Sequence, residues 1–171
     1  MQEPVVIVEY DPRWPVMFEE EKALLQKTIG GKVQVFEHMG STAVPGLGAK
    51  PIIDIIAAVR RLEEAEACVE PLQALNYVYV PEFNTVIPER RFFRKVPRTH
   101  HLHFTTTETE FWKRQLLFRD YLRLHPETAQ EYFRLKVELA AKFGSDRDGY
   151  TNAKTEFIKS IEERARAFFQ Q

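Results

Sequence analysis

Residues 38–59 read HMGSTAVPGLGAKPIIDIIAAV, a loop of small residues that leads into an apolar run interrupted only by Asp54. The run from Ile52 to Val59 is rich in β-branched residues and too short for a typical buried helix. Such a pattern predicts a strand covered on both faces, the centre of a sheet. Val33 to Glu37, just upstream, reads as a second strand, so the segment is strand, turn, strand. An unpaired carboxylate in this setting would be costly. Asp54 must therefore meet a cation, of which Lys50 is the first candidate, or a metal, or open into a cleft.

Further elements follow on either side. Val5 to Val8 is fit for a strand, and Asp11-Pro12 and Pro15 lead into a helix with Trp14, Phe18, Leu25 and Ile29 as its stripe, stopped at Gly30-Gly31. Leu62 to Leu72 reads as a helix with Cys68 on its inner side, and Asn76 to Val80 as a short strand. Arg90 to Val96 and Thr99 to Thr106 form two strands around Pro97-Arg98. Thr107 and Glu110 make a capping box for a helix to Leu124, Pro126 opens another that Gly144 ends, and a third runs from about Asp148 to Phe169. The expected architecture is an α+β (mixed α/β) domain over residues 1–171, sheet-rich in 1–107 and helical in 108–171, with a sheet of five or six strands.

Composition narrows the function. The chain has 24 Lys+Arg against 25 Asp+Glu, so no global attraction to nucleic acid is expected. A single cysteine rules out an internal disulfide and points to a reducing compartment. The acidic start gives no signal peptide and no apolar stretch reaches membrane-spanning length, so the expectation is a cytoplasmic, membrane-free protein. Neutrality on average conceals residues 90–103, RRFFRKVPRTHHLH, with five cations, three histidines and no acid.

The chemistry is expected at two places. Gly40 permits close backbone approach, and the Ser41 hydroxyl with nearby amides can donate to phosphate oxygens. A Gly-Ser loop followed by a carboxylate on the next strand is how nucleotidyltransferase-fold enzymes hold a nucleoside triphosphate and its metal; turn chemistry alone also enriches Gly and Ser. His101 and His103 lie two apart in a strand and share one face, with Leu102 and Phe104 on the other. A turn at Pro97-Arg98 would set Arg94 opposite His101 and Phe92 opposite His103, with Arg90 further along. The histidines could serve as acid or base, as metal ligands or as phosphate contacts.

The segments HMGSTAVPGLGAKPIIDI, RRFFRKVPRTHHLHF, LLFRDYLRLHP and DRDGYTNAKTEFI together resemble the GrpB-like family over nearly the whole length. The resemblance implies a nucleotidyltransferase-like fold related to the polymerase-beta superfamily, and a similar domain is fused to dephospho-CoA kinase in some bacteria. Carried over by position, Gly40 and Ser41 would hold phosphate, and Asp54 would hold Mg²⁺. The superfamily's second acid falls at Ile56, a departure from two-metal catalysis. Arg119 and Lys154, in the C-terminal motifs with Lys136 and Tyr150, could reach a bound anion or serve as ordinary surface charge; Asp120 stands ready to pair with Arg119.

The leading expectation is a Mg²⁺-dependent nucleotidyltransferase acting on a nucleoside triphosphate and a small acceptor. Asp54, His101 and His103 are its catalytic candidates, and Gly40, Ser41, Lys50, Arg90, Arg94, Arg119 and Lys154 its binding candidates. A non-catalytic nucleotide- or CoA-precursor-binding module is the alternative. A His-rich metal hydrolase using His38, Asp54, His101 and His103 is the third.

Overall fold

A computed structural model describes residues 3–170. Helix α1 (Trp14–Ile29) precedes strands β1 (Val35–Met39) and β2 (Ile53–Ala58). A stretch of 3₁₀ turns around the short α2 (Val69–Leu72) leads to β3 (Tyr77–Tyr79), β4 (Arg91–Lys95) and β5 (His100–Thr105). Three helices close the chain, α3 (Glu110–Leu124), α4 (Pro126–Phe143) and α5 (Arg147–Phe169). The result is a mixed α+β fold whose five-stranded sheet has the order β1-β2-β5-β4-β3. Only β2 and β5 run parallel; the other pairs are antiparallel.

Strand β2 is central because its side chains are covered on both faces. Ile53, Ile55 and Ile56 are fully buried, each adding about 1.5–3 kcal/mol relative to exposure. Ile53, Ile55 and Ala57 face the main core with Leu102, Phe104 and Phe93, beneath α1 and residues 62–75. Ile56 faces the other way, against Met39 and Phe111. Cys68 fills the main core as a buried free thiol. A separate cluster joins Val44 and Leu47 to α3, α4 and α5 through Phe118, Leu122, Tyr132 and Ile161. The helical part is thereby docked onto the loop between β1 and β2.

The register of β4 and β5 is the one expected, with Arg94 opposite His101 and Phe92 opposite His103. Other expectations need correcting. Residues 5–8 form no strand; Val8 makes one antiparallel bridge to Ala49, while Val5 packs with Leu139 and Tyr150 and donates its amide to Gly144 at 3.0 Å. Strand β1 starts later than expected and takes in His38 and Met39. Residues 62–75 are mostly 3₁₀ rather than one α-helix. Thr109, not Thr107, caps α3, accepting from the Trp112 amide at 3.2 Å. Among the described residues, no helix is long and apolar enough to cross a membrane.

Candidate functional site

Asp54, His101 and His103 meet because β2 and β5 are parallel neighbours in register. Asp54 pairs with His101 and Ile56 with His103, so all three polar side chains lie on one face of the sheet. His103 Nε2 lies 3.0 Å from Asp54 Oδ1, and His101 Nδ1 lies 3.4 Å from the same oxygen. Donor atoms of the three residues fall within 4.8 Å of one another, an arrangement able to hold a metal ion. Imidazole suits Zn, Fe, Cu and Ni, and carboxylate suits Mg and Mn, so the donor set fits a divalent cation in general.

Electrostatics at the three residues are set by burial and by each other. Burial presses the Asp54 carboxyl upward, but hydrogen bonds and charge from His101 and His103 more than offset it and hold the group well below the usual carboxylate range. Burial lowers His103 against the opposing pull of Asp54, and its Nε2–H donates to the carboxylate. Arg98 Nε stands 3.3 Å from His101 Nε2. The second carboxylate oxygen of Asp54 lies beside Gly40, whose φ of +74° and ψ of −172° suit glycine alone; a Cβ there would sit 3.1 Å from Oδ2. Gly40 thus makes room for Asp54.

On its open side the trio borders a cavity of about 340 Å³, within the size range of small-molecule sites. Asp54, His101 and Ser41 line it, together with Lys50, Lys136 and Lys154. Five cationic side chains face two carboxylates, since Arg98 and Arg147 join the lysines, and Glu3 joins Asp54. Arg147 is tied to Glu3 at 3.5 Å. The lysines instead turn to aromatic rings. Lys136 Nζ is 4.6 Å from the Tyr132 ring centre, and Lys50 and Lys154 are 4.7 and 4.8 Å from that of Tyr150. Lys136 also donates to the Gly48 carbonyl at 2.6 Å. Burial, then the neighbouring cations, pushes Lys136 down to about 6 and Lys50 down to about 8, and burial lowers Lys154.

The residues expected from the sequence divide accordingly. Gly40, Ser41, Lys50, Asp54, His101, His103 and Lys154 are gathered at one site. The neighbours of Asp54, however, are the two histidines rather than Lys50, whose head turns to Tyr150. Arg90 lies behind His103, its guanidinium 5.3 Å from the Phe92 ring centre and 5.7 Å from that of Phe111. Arg94 is exposed and outside the cavity. Arg119 is buried away from it, holding Glu37 at 2.7 Å, Asp120 at 2.8 Å and the His38 carbonyl at 3.1 Å. This is the salt-bridging use, not anion contact.

His38 does not join Asp54. It alternates to the opposite face of the sheet, stacks on Phe18 at 4.8 Å and bonds to Thr42 at 2.9 Å, so the four-residue metal set is not formed. Arg98, Arg147 and Tyr132 were not among the expected binding residues, and Lys136 and Tyr150 stood only as members of the C-terminal motifs. One signal for two of them stands in the sequence. Tyr132–Lys136 and Tyr150–Lys154 repeat a Tyr-x-x-x-Lys spacing, which puts each lysine over the tyrosine one helical turn before it.

Comparison with known proteins places the chain among close relatives. The sequence profile of the family described as GrpB protein matches residues 4–164. The UPF0157 protein YqkA of Bacillus subtilis is 40% identical over 95% of this chain, which spans 47% of that relative. The glutamate-rich protein GrpB of Alkalihalophilus pseudofirmus is 35% identical, with 92% of this chain and 93% of that one covered. The crystal structure of GrpB from Enterococcus faecalis superposes with a TM-score of 0.89 at 36% identity, covering 97% of this chain and all (100%) of that one. A dephospho-CoA kinase of Mycolicibacterium paratuberculosis is 27% identical over 95% of this chain, which spans 46% of that protein.

Proposed function

The chain belongs to the GrpB family, and we propose that it binds a nucleoside triphosphate in the lysine-lined cavity and transfers the nucleotidyl group to a small acceptor. The observation that carries this reading is that Asp54 and His101, which meet the buried His103, line the same cavity as three lysines. A carboxylate with two imidazoles can hold a divalent cation, and amines without a carboxylate partner beside it favour a phosphorylated ligand. With imidazole among the donors, Zn²⁺ suits the site at least as well as Mg²⁺. A cation bound there would offset negative charge on the reacting phosphate.

In this reading Asp54 and His103 are the inward donors, and Lys50 and Lys154 hold the phosphates. His101, which lines the cavity, takes the proton of the acceptor hydroxyl. The acceptor oxygen bonds to the α-phosphorus as the bond to the β-phosphate oxygen breaks, and pyrophosphate leaves.

Ile56 favours a second reading. At the place where a second acid would stand, its side chain is buried against Met39 and Phe111, leaving one carboxylate on the strand. A module that binds a nucleotide or CoA precursor without turning it over fits that arrangement, and the dephospho-CoA kinase relative adds weight to such a ligand. Pyrophosphate release is the deciding assay, with each nucleoside triphosphate, Mg²⁺, Mn²⁺ or Zn²⁺, and acceptors including dephospho-CoA. Acceptor-dependent release lost in Asp54→Asn supports transfer. Cation-dependent nucleotide binding without release supports the module, and binding unchanged in Asp54→Asn removes the metal role from both.

A further inference from the structure

The three lysines pose a physical problem that the trio alone does not explain. Lys136 is 2% exposed, and none of Lys50, Lys136 and Lys154 has a carboxylate within ion-pair distance among the described residues. They arrive from separate elements. Lys50 comes from the loop before β2, Lys136 from α4 and Lys154 from α5, and all three line one cavity. Both helices use the same device, a tyrosine one turn earlier under the lysine head. An amine without a counter-charge is costly to keep charged at such depth in the free protein. One buried and two half-buried amines over one cavity, none with a carboxylate partner, make a site completed by a multiply charged anion.

We infer that the cavity selects ligands carrying two or more linked phosphates over a single phosphate, and that Lys50, Lys136 and Lys154 grip them together with uptake of a proton from solvent. The inference rests on the nucleotide reading above and adds to it the charge the ligand must carry and the proton that accompanies it. The proton follows from the setting of the lysines. Burial, then Lys154 and Lys50, brings Lys136 down to about 6, and burial, then Lys154 and Arg147, brings Lys50 down to about 8. At pH 7.5 the free site is therefore short of a proton on Lys136. A polyphosphate replaces that repulsion with attraction, so the ammonium form returns on binding. The other charged groups around the lysines do not remove this need. From the β2 side Asp54 offers a carboxylate already engaged by two histidines; from the β5 side come the His101 imidazole, turned to Asp54, and the Arg98 guanidinium beside it; at the rim Arg147 is matched by Glu3. Tyr132 and Tyr150, both buried, have their phenols pushed up and stay neutral.

The test is isothermal calorimetry on the full chain at pH 7.5 without metal, using inorganic phosphate, pyrophosphate and tripolyphosphate in two buffers of different ionisation heat. Pyrophosphate and tripolyphosphate are expected to bind at least about tenfold more tightly than phosphate, a difference of about 1.4 kcal/mol. Because these phosphates also carry protons near this pH, the uptake is read as the difference in buffer dependence between the parent and Lys136→Met, with the parent taking up more protons per ligand bound. Lys136→Met should lose most of the buffer dependence, and Lys154→Gln, at a half-buried position where folding is not at stake, should weaken tripolyphosphate by at least about tenfold. Equal affinity for phosphate and tripolyphosphate, or the same buffer dependence in the parent and in Lys136→Met, overturns this inference and leaves nucleotide binding standing. Failure of every phosphate compound, and of nucleotides with divalent cations, overturns both.

Discussion

Replacing Lys136 by methionine should make the ligand-free protein more stable while impairing its binding site. The buried amine sits at about 6 in the folded protein against a reference of 10.5, because burial and then Lys154 and Lys50 disfavour its charge. Between these values the unfolded chain carries a proton that the folded chain lacks, so folding stability rises with pH at about 1.4 kcal/mol per unit from this residue alone. At pH 8 the remaining cost is about 3 kcal/mol, and at pH 6.5 about 5 kcal/mol. Methionine keeps the unbranched apolar stem but forfeits the hydrogen bond to the Gly48 carbonyl, a loss of about 1–3 kcal/mol for a buried acceptor. The balance is a gain of about 1 kcal/mol at pH 8 and about 3 kcal/mol at pH 6.5. For a chain of this length each kcal/mol moves the thermal midpoint by about 2–4 °C. Thermal and urea unfolding from pH 6 to 9 should show the variant's advantage widening toward low pH. A variant less stable than the parent throughout, with the same pH slope, would refute the claim that Lys136 is neutral in the folded protein.

Other perturbations probe the remaining parts. Gly40→Ala should lose about 1–3 kcal/mol, from a backbone conformation that side chains avoid and from the 3.1 Å approach to Asp54 Oδ2. Its divalent-cation affinity should fall as well, and an unchanged midpoint with unchanged cation binding would contradict this. His38 is held down to about 4, chiefly by burial, so below pH 6.5 the unfolded chain takes up a proton that the folded one refuses until about pH 4. Stability should drop by up to about 3 kcal/mol across that window, and His38→Leu should flatten the acid limb of the unfolding curve. Arg119→Met should destabilise by about 2–4 kcal/mol through its lost partners yet leave pyrophosphate affinity within about twofold; a tenfold loss would return Arg119 to the binding site.

The fold was legible wherever one short pattern dictated burial. The run from Ile52 to Val59 revealed the central strand, and alternation in HHLHF together with the turn placed His101 and His103 opposite Arg94 and Phe92. Residues 5–8 misled because β-branching states a preference for a half-buried surface, and Val5 found that surface against Leu139 and Tyr150 instead of in a sheet. Thr107 and Thr109 are equally suited to capping, and only the backbone path into α3 chooses Thr109. The Asp54 side of the candidate site could be read because Asp54 interrupts an apolar strand and the histidines share a face. Lys50 and Lys154 stood among the sequence candidates, but Lys136 and the meeting of all three depend on how α4 and α5 dock onto the β1–β2 loop, which local patterns do not encode. Arg119 shows the converse: a cation in a motif, whose partners Glu37 and the His38 carbonyl come from a distant strand.

The central claim is that one cavity joins a divalent-cation site on β2 and β5 to a polyphosphate site built from Lys50, Lys136 and Lys154. Crystals soaked with Mn²⁺ and a non-hydrolysable nucleoside triphosphate analogue test it directly. An anomalous peak is expected between Asp54 and His103, with the β- and γ-phosphates among the three lysine heads. Manganese and phosphates bound elsewhere, with the trio still joined only by its own hydrogen bonds, would contradict it.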